Sequence, residues 1–490
     1  MINFQTIHSR VLPDQHDVGI VHIGLGAFHR AHQAVYLEKV LSEQGGDWSI
    51  VSANIRSNYR LVDQLNAAGL RYHVVEYSDK ETAKVREIRA IKEAIFTGTE
   101  DGRKALLKYL TASTTKIVTL TVTEKGYYLE PVSGRLLIDN PDIRHDLNPV
   151  NQPKTALGFI VQALKQRKDQ GIEAFTVLSC DNMPHNGVRA KQAAVEFAKV
   201  KDEAFAKWIE KNVAFPSTMV DRIVPAVSPA DIEMIYADTG LNEPILVKTE
   251  HFSQWVIEDD FPLGRPDWET AGVQMVDDVA NYEMMKLRML NGSHSLLAYL
   301  GSLAGFKTVS EAMQDESIRA FLDFYMRQEV APTLSSFSSE ELEAYSEQLL
   351  QRFENTSLYH QLLQIAMDGS QKLPQRWLST LLQLRDLKLP STAIELGIAG
   401  WMSFVCHAAY GSQSINDPLE SELFELSQNH RESSHDLVQS FLKRDDIFPS
   451  SLKENTALIT RLADLINQIH SGTKIQQMML SVIQNTRVER

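Results

Sequence analysis

A short apolar stretch near residue 290 contains polar residues whose types suit proton transfer. It reads KLRMLNGSHS from Lys286 to Ser295, and Glu283 precedes it by one helical turn. At about 100° per residue on a helix, Asn291 lies about 140° and His294 about 80° from Lys286. Glu283 lies at about 60° on the same scale. The sequence therefore predicts a mostly buried helix with four polar side chains on one side.

Lysine in such a place can act as a general base. Removal from water lowers the pKa of a lysine towards neutrality, where it can accept and return a proton. Each of these residues taken singly is better explained as hydrogen-bonded structure, because buried polar groups usually have that role. Four of them on one side favour a catalytic arrangement.

A turn between a predicted strand and a predicted helix carries two glycines. VHIGLGAFHRAHQ places Gly24 and Gly26 at the turn, where a dinucleotide fold uses glycines to bring the backbone close to a pyrophosphate. His29 occupies the third position of the GxGxxG pattern. An ordinary strand-to-helix turn is the alternative. We assign Gly24, Gly26, Ala27 and Phe28 to a predicted cofactor turn.

The end of the second predicted strand bears on the choice between NAD and NADP. NAD-binding folds usually have a carboxylate there, but WSIVSANIRSNYR offers Asn54 and Arg56, and the first carboxylate is Asp63. Arginines in that place can accommodate a 2′-phosphate. NADP therefore stays open beside NAD, which is the cofactor that we expect, and a solvated loop is the alternative for Arg56.

Further polar residues follow the apolar runs of the first half. Glu124 follows KIVTLTVT and Asn182 follows AFTVLSCD, so both are expected at the carboxyl edge of a sheet, where open α/β folds bind ligands. Asp221 and Arg222 lie in VDRIVP, where a structural ion pair is the alternative to substrate binding.

Composition limits the class of partner. The 490 residues include 49 basic and 63 acidic side chains, a formal charge of −14, which argues against nucleic acid and favours a small molecule. We see no membrane span or signal peptide and expect a cytoplasmic protein. Two cysteines and the absence of HExxH exclude a disulfide framework and the common zinc motifs, and no metal is expected.

The elements that must hold these residues change character along the chain. Four β-rich runs, at 18–24, 48–55, 116–124 and 174–182, alternate with helical patterns and predict a mostly parallel sheet. From about residue 283 helical patterns follow one another. We predict an α/β fold with a Rossmann-like cofactor domain at 1–283 and a mainly helical substrate and catalytic domain at 284–490.

Several of these segments together resemble the mannitol dehydrogenase family, the polyol-specific long-chain dehydrogenases. FPSTMVDRIVP is similar to the family signature, with Val220, Asp221, Arg222 and Pro225 in place. Other segments typical of the family are GLGAFHRAHQ, TVTEKGYY, SCDN, QWVIEDDF and KLRMLNGSH. The resemblance covers nearly the whole chain and is weakest after about residue 410.

The resemblance implies zinc-independent hydride transfer between a nicotinamide cofactor and a sugar or sugar acid. It implies that Lys286 is the acid and base, that Asn182 and Asn291 stabilise the oxyanion, and that His294 orients the substrate. Glu283 resembles the carboxylate that relays protons to the lysine. Family members often lack the third glycine, so His29 is compatible with a dinucleotide.

The choice of substrate depends on a cation. A hexuronate carries a carboxylate that fructose lacks, and an arginine binds a carboxylate with bidentate geometry. Lys372 and Arg376 of MDGSQKLPQR are the candidates, and Arg288 is weaker because its helical angle is opposite. For Arg376 a surface charge is the alternative. We expect reduction of D-fructuronate to D-mannonate by a monomer or small homo-oligomer.

Two other functions are compatible with the same residues. Mannitol 2-dehydrogenase activity, or that of another hexonate oxidoreductase of the family, is the first alternative. A nucleotide-binding sensor without catalysis is more remote, because the Lys286, Asn182, Asn291 and His294 set is intact.

Overall fold

The computed structural model describes residues 2–78, 81–130, 133–357, 359–411 and 413–488. Contacts between Cα atoms divide the chain into two units, Met1–Tyr282 and Glu283–Arg490. We call them the α/β unit and the helical unit.

The α/β unit contains all the strands of the described residues. They are β1 (Asn3–Ile7), β2 (Val18–Ile23), β3 (Ser49–Asn54), β4 (Tyr72–Tyr77), β5 (Thr82–Ile88), β6 (Ile91–Phe96), β7 (Ile117–Leu120), β8 (Thr176–Ser179), β9 (Thr218–Asp221), β10 (Val247–Glu250), β11 (Gln254–Glu258) and β12 (Gln274–Val276).

Helices connect and cover these strands. The α-helices are α1 (Ala27–Ala31), α2 (Gln33–Gln44), α3 (Tyr59–Ala67), α4 (Glu100–Thr111), α5 (Pro141–Leu147), α6 (Ala156–Gln170), α7 (Asn186–Lys199), α8 (Glu203–Asn212) and α9 (Pro229–Thr239). Short 3₁₀-helices lie at Pro13–Gln15, Glu124–Tyr127 and Trp268–Ala271.

The central sheet has five parallel strands in the order β6-β3-β2-β7-β8. Four of them coincide with the four β-rich runs of the sequence, so the predicted parallel sheet is confirmed. All six residues of β2 are buried, as expected for a strand covered on both faces. The strand order reverses beside β2, which makes the gap between the ends of β2 and β7 a topological switch point.

Two smaller sheets complete the unit. One has the order β1-β5-β4-β10 and the other the order β12-β11-β9. Side chains alternate along the central strands, so Val21, Val51 and Val118 enter one hydrophobic core. Ile20 and Ile50 enter the core on the other face.

The helical unit begins within α10 and confirms the predicted change to helices. Its α-helices are α10 (Ala280–Met285), α11 (Gly292–Leu296), α12 (Val309–Ala312), α13 (Glu316–Phe324), α14 (Ser339–Glu354), α15 (Leu362–Ile365), α16 (Gly369–Leu373), α17 (Ser379–Leu387), α18 (Thr392–Gly411), α19 (Glu420–Asn429), α20 (Ser434–Leu442), α21 (Thr456–His470) and α22 (Ile475–Val488).

Four π-helical segments interrupt these helices, at Lys286–Asn291, Leu297–Gly301, Tyr325–Val330 and Pro374–Leu378. Two 3₁₀-helices lie at Ala331–Thr333 and Ser450–Leu452. π-helical turns are rare and occur often at functional sites. The first of them contains the lysine singled out in the sequence.

Candidate active site

The glycine turn of the α/β unit begins at Gly24, directly after β2. Gly24 has φ +116°, and a Cβ added there would lie 2.1 Å from the carbonyl oxygen of Thr121, so only glycine fits. A Cβ at Gly26 would meet only the Gly24 carbonyl oxygen, at 3.7 Å. The backbone at Gly26 is therefore open to a ligand, which is what a pyrophosphate needs there.

A pair of stacked histidines supports this turn. The rings of His22 and His29 are parallel, with centroids 3.4 Å apart. His22 Nε2 lies 3.1 Å from the Gly24 carbonyl oxygen, and His29 Nε2 lies 3.0 Å from Ser52 Oγ. Burial lowers the pKa of His22 to about 3, so the ring is neutral. His29 thus replaces the third glycine as a buried packing residue.

The next two predicted cofactor residues have different exposures. Ala27 is exposed, and Phe28 is half-buried and stacked on His32, with centroids 4.9 Å apart. Both belong to the first turn of α1 and therefore lie beside the open face of Gly26.

The carboxyl end of β3 carries an unsatisfied amide. Asn54 Nδ2 is buried and has no hydrogen-bond partner among the described residues. Such an orphaned donor fits a site that is completed by a ligand. Arg56 is exposed and forms an ion pair with Asp142, and it also donates to the Tyr128 hydroxyl. Its guanidinium thus has protein partners although the side chain is exposed.

Glu124 and Asn182 follow β7 and β8 at the same edge of the sheet. Glu124 is exposed and paired with Arg189 at 3.0 Å. Asn182 is exposed, whereas the preceding residue, Asp181, is buried. Asp181 accepts from the backbone N–H of Thr123 at 2.7 Å and from the Tyr127 hydroxyl at 2.6 Å. Sequence reasoning assigned no role to Asp181, although it lies within SCDN.

Asp221 and Arg222 lie at the end of β9, and both are buried. Arg222 forms an ion pair with Glu76 at 2.8 Å and donates to the backbone carbonyls of Glu250 and Ala31. These are the contacts of a structural cation, which was the alternative considered for it. Substrate binding by Asp221 and Arg222 stays a prediction.

Lys286 and Asn291 lie at the two ends of a π-helical segment in the helical unit. The α-helical angle of about 140° between them is therefore wrong, because π-helical hydrogen bonds join residues five apart and place them on one face. Lys286 is buried, at 6% exposure, and Asn291 is half-buried. The Asn291 amide has no hydrogen-bond partner among the described residues, and Glu283 is half-buried in α10.

His294 lies one turn further, in α11, and cations surround it. It is 9% exposed, and its Nε2 has no hydrogen-bond partner in the described part of the chain. Burial lowers the pKa of His294 well below its usual value. Four nearby basic groups lower it further, and these are His360, Arg376, Arg352 and Lys286. The charges of Arg376, Arg352 and Lys286 thus favour the neutral form of the His294 ring.

Arg376 comes from the π-helical segment Pro374–Leu378 and reaches the helix that carries Lys286. Its Nη1 donates to the Asn291 carbonyl at 3.2 Å and to Ser295 Oγ at 2.8 Å. Its Nε and Nη2 have no partner among the described residues, and no carboxylate pairs with it there. Burial lowers the pKa of Arg376 to about 10, so it remains charged at neutral pH.

Lys372 and Arg288 have protein partners. Lys372 Nζ donates to the Met367 carbonyl at 2.5 Å and lies 4.0 Å from Asp368. Arg288 is buried and donates to Gln383 at 2.7 Å and to the Thr333 carbonyl. Arg288 is thus structural, which agrees with its weak claim from the sequence.

Sequence reasoning missed His360 and Arg352 as neighbours of His294. His360 follows α14 in a segment without a motif, and its ring lies 5.4 Å from that of His294. Arg352 occupies an ordinary position near the end of α14. Nothing in the local sequence points to either residue, because only tertiary packing brings them to α11.

Among the described residues, no three His, Cys, Asp or Glu side chains lie close enough together to hold a metal ion. Within the same residues, no helix is both long enough and apolar enough to cross a bilayer.

Each of the two units matches a known family of protein domains. Residues 18–270 match the model of the mannitol dehydrogenase Rossmann domain, and residues 278–470 match that of the mannitol dehydrogenase C-terminal domain. D-mannonate oxidoreductase of Escherichia coli (strain K12) is 42% identical over 454 residues, which cover 92% of this chain and 93% of that protein.

Two solved structures are similar over almost the whole chain. D-sorbitol dehydrogenase in substrate-free form has a TM-score of 0.88 at 32% identity, covering 97% of each chain. Pseudomonas fluorescens mannitol 2-dehydrogenase, in a ternary complex with NAD and D-mannitol, has a TM-score of 0.83 at 33% identity. That match covers 98% of this chain and 97% of the other.

The parallel sheet, the glycine turn at its switch point and the lysine-bearing helical unit define an oxidoreductase with a Rossmann domain. The two domain models together cover most of the sequence. The chain belongs to the mannitol dehydrogenase family, whose members act on CH–OH groups.

Proposed function

We propose that the protein is a nicotinamide-dependent reductase of a hexuronate keto group and converts D-fructuronate to D-mannonate. The observation that carries the proposal is Arg376. Its Nε and Nη2 edge is free of partners among the described residues and lies beside the helix of Lys286 and Asn291. A free guanidinium edge matches the two oxygens of a carboxylate. Fructose has no such group to offer.

The charges near His294 support the same substrate. Arg376, Arg352 and Lys286 all act on His294 through their charge, and the neutral ring offers both a donor and an acceptor. A carboxylate would be attracted by the charge of Arg376, whereas a neutral polyol would not. The 42% identity to a D-mannonate oxidoreductase points in the same direction.

NAD is the cofactor of this proposal, and NADP remains an alternative. Gly24 and Gly26 would hold the pyrophosphate, and the orphaned Nδ2 of Asn54 would donate to the ribose at the end of β3. The nicotinamide supplies or accepts the hydride. A ribose site without a carboxylate leaves room for a 2′-phosphate. Arg56, which follows Asn54 in the chain, is the candidate to bind that phosphate. Ala27, Phe28 and Glu124 stay predicted members of this site.

Lys286 supplies the proton. During reduction the hydride adds to the carbonyl carbon, the electrons of the C=O π bond move to oxygen, and the Lys286 ammonium donates a proton to that oxygen. The Asn291 amide donates a hydrogen bond to the developing oxyanion. His294 orients the substrate, and Glu283 returns a proton to the neutral lysine. For Asn182, an exposed residue of the α/β unit, the oxyanion role remains a prediction.

The testing experiment compares substrates with purified protein. Absorbance of NADH and of NADPH is followed with D-fructuronate, D-tagaturonate and D-fructose in parallel. Fast oxidation with fructuronate and little with fructose is expected. Preference for fructose would contradict the proposal, make the protein a mannitol 2-dehydrogenase and leave Arg376 with a structural role.

Absence of turnover with all three, despite cofactor binding, would favour the sensor alternative. A cytoplasmic location and a monomer or small homo-oligomer, both expected from the sequence, belong to the same proposal. Sedimentation of the purified protein measures the second of these.

A further inference from the structure

The backbone hydrogen bonds of the π-helical segment Lys286–Asn291 depart from the α-helical pattern at the Arg288 carbonyl. In an α-helix the N–H of Gly292 would bond the carbonyl four residues back, that of Arg288. Here the N–H of Gly292 bonds the carbonyls of Leu287 and Met289 instead. The Tyr325 hydroxyl donates to the Arg288 carbonyl at 2.7 Å. A side chain thus occupies the acceptor that an α-helical N–H would use.

Glycine at position 292 makes room for this hydroxyl. A Cβ added to Gly292 would lie 2.1 Å from Tyr325 Oη and 3.0 Å from its ring carbon Cζ. Tyr325 is itself fully buried, at 0% exposure, so it has little freedom to move aside. The hydrogen bond from Tyr325 to the Arg288 carbonyl therefore requires glycine at position 292.

Two other side chains bond the carbonyls that follow. Arg376 donates to the Asn291 carbonyl at 3.2 Å, and Trp377 Nε1 donates to the Gly292 carbonyl at 3.2 Å. The end of the segment is thus held by two side chains from one neighbouring segment, Pro374–Leu378. Of these three donors, only Tyr325 bonds the Arg288 carbonyl, which is the acceptor that the N–H of Gly292 would use in an α-helix.

We propose that Tyr325 is a positioning residue that holds Lys286–Asn291 in π-helical form and thereby aligns Asn291 with Lys286. The inference rests on the proposed function, in which these two residues act on the same oxygen. In π-helical form residues five apart share a face, whereas in α-helical form Asn291 would lie about 140° from Lys286. Loss of the hydroxyl frees the Arg288 carbonyl to accept the N–H of Gly292, which favours the α-helical form.

The test compares three variants of the full-length protein. Tyr325→Phe removes the hydroxyl, and Gly292→Ala pushes it from its place. Tyr299→Phe is the matched control, because it removes a buried hydroxyl of the same unit that donates to the Ala366 carbonyl at 3.2 Å. For each variant we measure kcat and KM for fructuronate, NADH affinity, and the melting temperature.

We expect Tyr325→Phe and Gly292→Ala to lower kcat roughly 10- to 100-fold, the usual cost of misplacing a catalytic group by about 1 Å. KM and NADH affinity should change little, because oxyanion stabilisation acts in the transition state. Tyr299→Phe should lower the melting temperature about as much as Tyr325→Phe does, but it should leave kcat unchanged. In the double variant Tyr325→Phe/Gly292→Ala, the losses in kcat should not multiply, because both act through one hydrogen bond.

Equal kcat for Tyr325→Phe and Tyr299→Phe would overturn the inference. The inference would also be overturned if the fold-loss in kcat of the double variant equalled the product of the two single losses. The proposed function is tested separately by Lys286→Ala. An inactive Lys286→Ala together with an unaffected Tyr325→Phe would leave the function in place and remove only the positioning role. An active Lys286→Ala would remove both.

Discussion

The guanidinium of Arg376 donates a hydrogen bond to the backbone carbonyl of Asn291. One residue is the proposed carboxylate-binding cation, and the other is a proposed oxyanion donor. The contact that orders the arginine therefore also fixes its distance from Asn291. In the proposed mechanism, substrate recognition and chemistry would share one piece of the helical unit.

Substitution Arg376→Gln should selectively weaken the reaction of the charged substrate. A hydrogen bond to a charged group contributes about 1.5–3 kcal/mol, so kcat/KM for fructuronate should fall roughly 10- to 150-fold. Activity on fructose should change less. Steady-state kinetics with both substrates measures the difference.

Ser295→Ala is the control for that variant. It removes the Nη1 partner at 2.8 Å but leaves the free edge of Arg376 intact. Equal losses on fructuronate and fructose in Arg376→Gln would show that Arg376 acts only by holding Asn291, and would argue against carboxylate binding.

Substitution Lys286→Ala should abolish the proton transfer and leave cofactor binding intact. General acid–base groups contribute roughly 10²- to 10⁴-fold to rates, and kcat should fall within that range. NADH affinity, measured by fluorescence titration, should be unchanged, because the glycine turn belongs to the α/β unit. Full turnover by this variant would refute the mechanism.

The two glycines of the turn should respond differently to alanine. Gly24→Ala places a Cβ 2.1 Å from a carbonyl oxygen at positive φ, so the free energy of unfolding should fall by more than about 1 kcal/mol. The Cβ of Gly26→Ala would have no atom closer than 3.7 Å. The free energy of unfolding of this variant should therefore lie within about 0.5 kcal/mol of that of the parent.

The same pair separates folding from cofactor binding. Gly26→Ala should still weaken NADH roughly tenfold, about 1.4 kcal/mol, because its Cβ occupies the approach of the pyrophosphate. Urea unfolding and NADH titration of both variants measure the contrast. Unchanged NADH affinity in Gly26→Ala would place the cofactor elsewhere.

Glu329 should make the stability of the helical unit depend on pH. It is fully buried and accepts from the backbone N–H groups of Ala393 at 2.7 Å and Ile394 at 3.0 Å, at the start of α18. Burial raises the pKa of Glu329 from 4.5 to about 8. Between these values the folded protein keeps a proton that the unfolded chain releases. The free energy of unfolding should therefore fall as pH rises from about 5 to 8.

This one group contributes a slope of up to about 1.4 kcal/mol per pH unit. Urea unfolding at pH 5, 6, 7 and 8 should show the slope, and Glu329→Gln should reduce it, with Glu340→Gln as the exposed control. An identical pH dependence in parent and Glu329→Gln would show that another group is responsible.

The sequence alone determined the class of fold and the candidates for the site. β-rich runs of seven to nine residues separated by helical patterns lead to a parallel sheet, because the period of the apolar residues is a local property of the sequence. Motifs such as GLGAFHR and KLRMLNGSH identified the glycine turn and the lysine by residue type and spacing. The need for a cation likewise pointed to Lys372 and Arg376.

Tertiary structure alone decided the geometry. The π-helical form of Lys286–Asn291 depends on Tyr325 and on room at Gly292, and Tyr325 is 33 or more positions away from both. An α-helical wheel drawn from the sequence therefore gave the wrong angle. His360 and Arg352 join His294, and Arg222 pairs with Glu76, through long-range packing. Spacing along the chain carries no information about such contacts, because folding brings together residues that are distant in sequence.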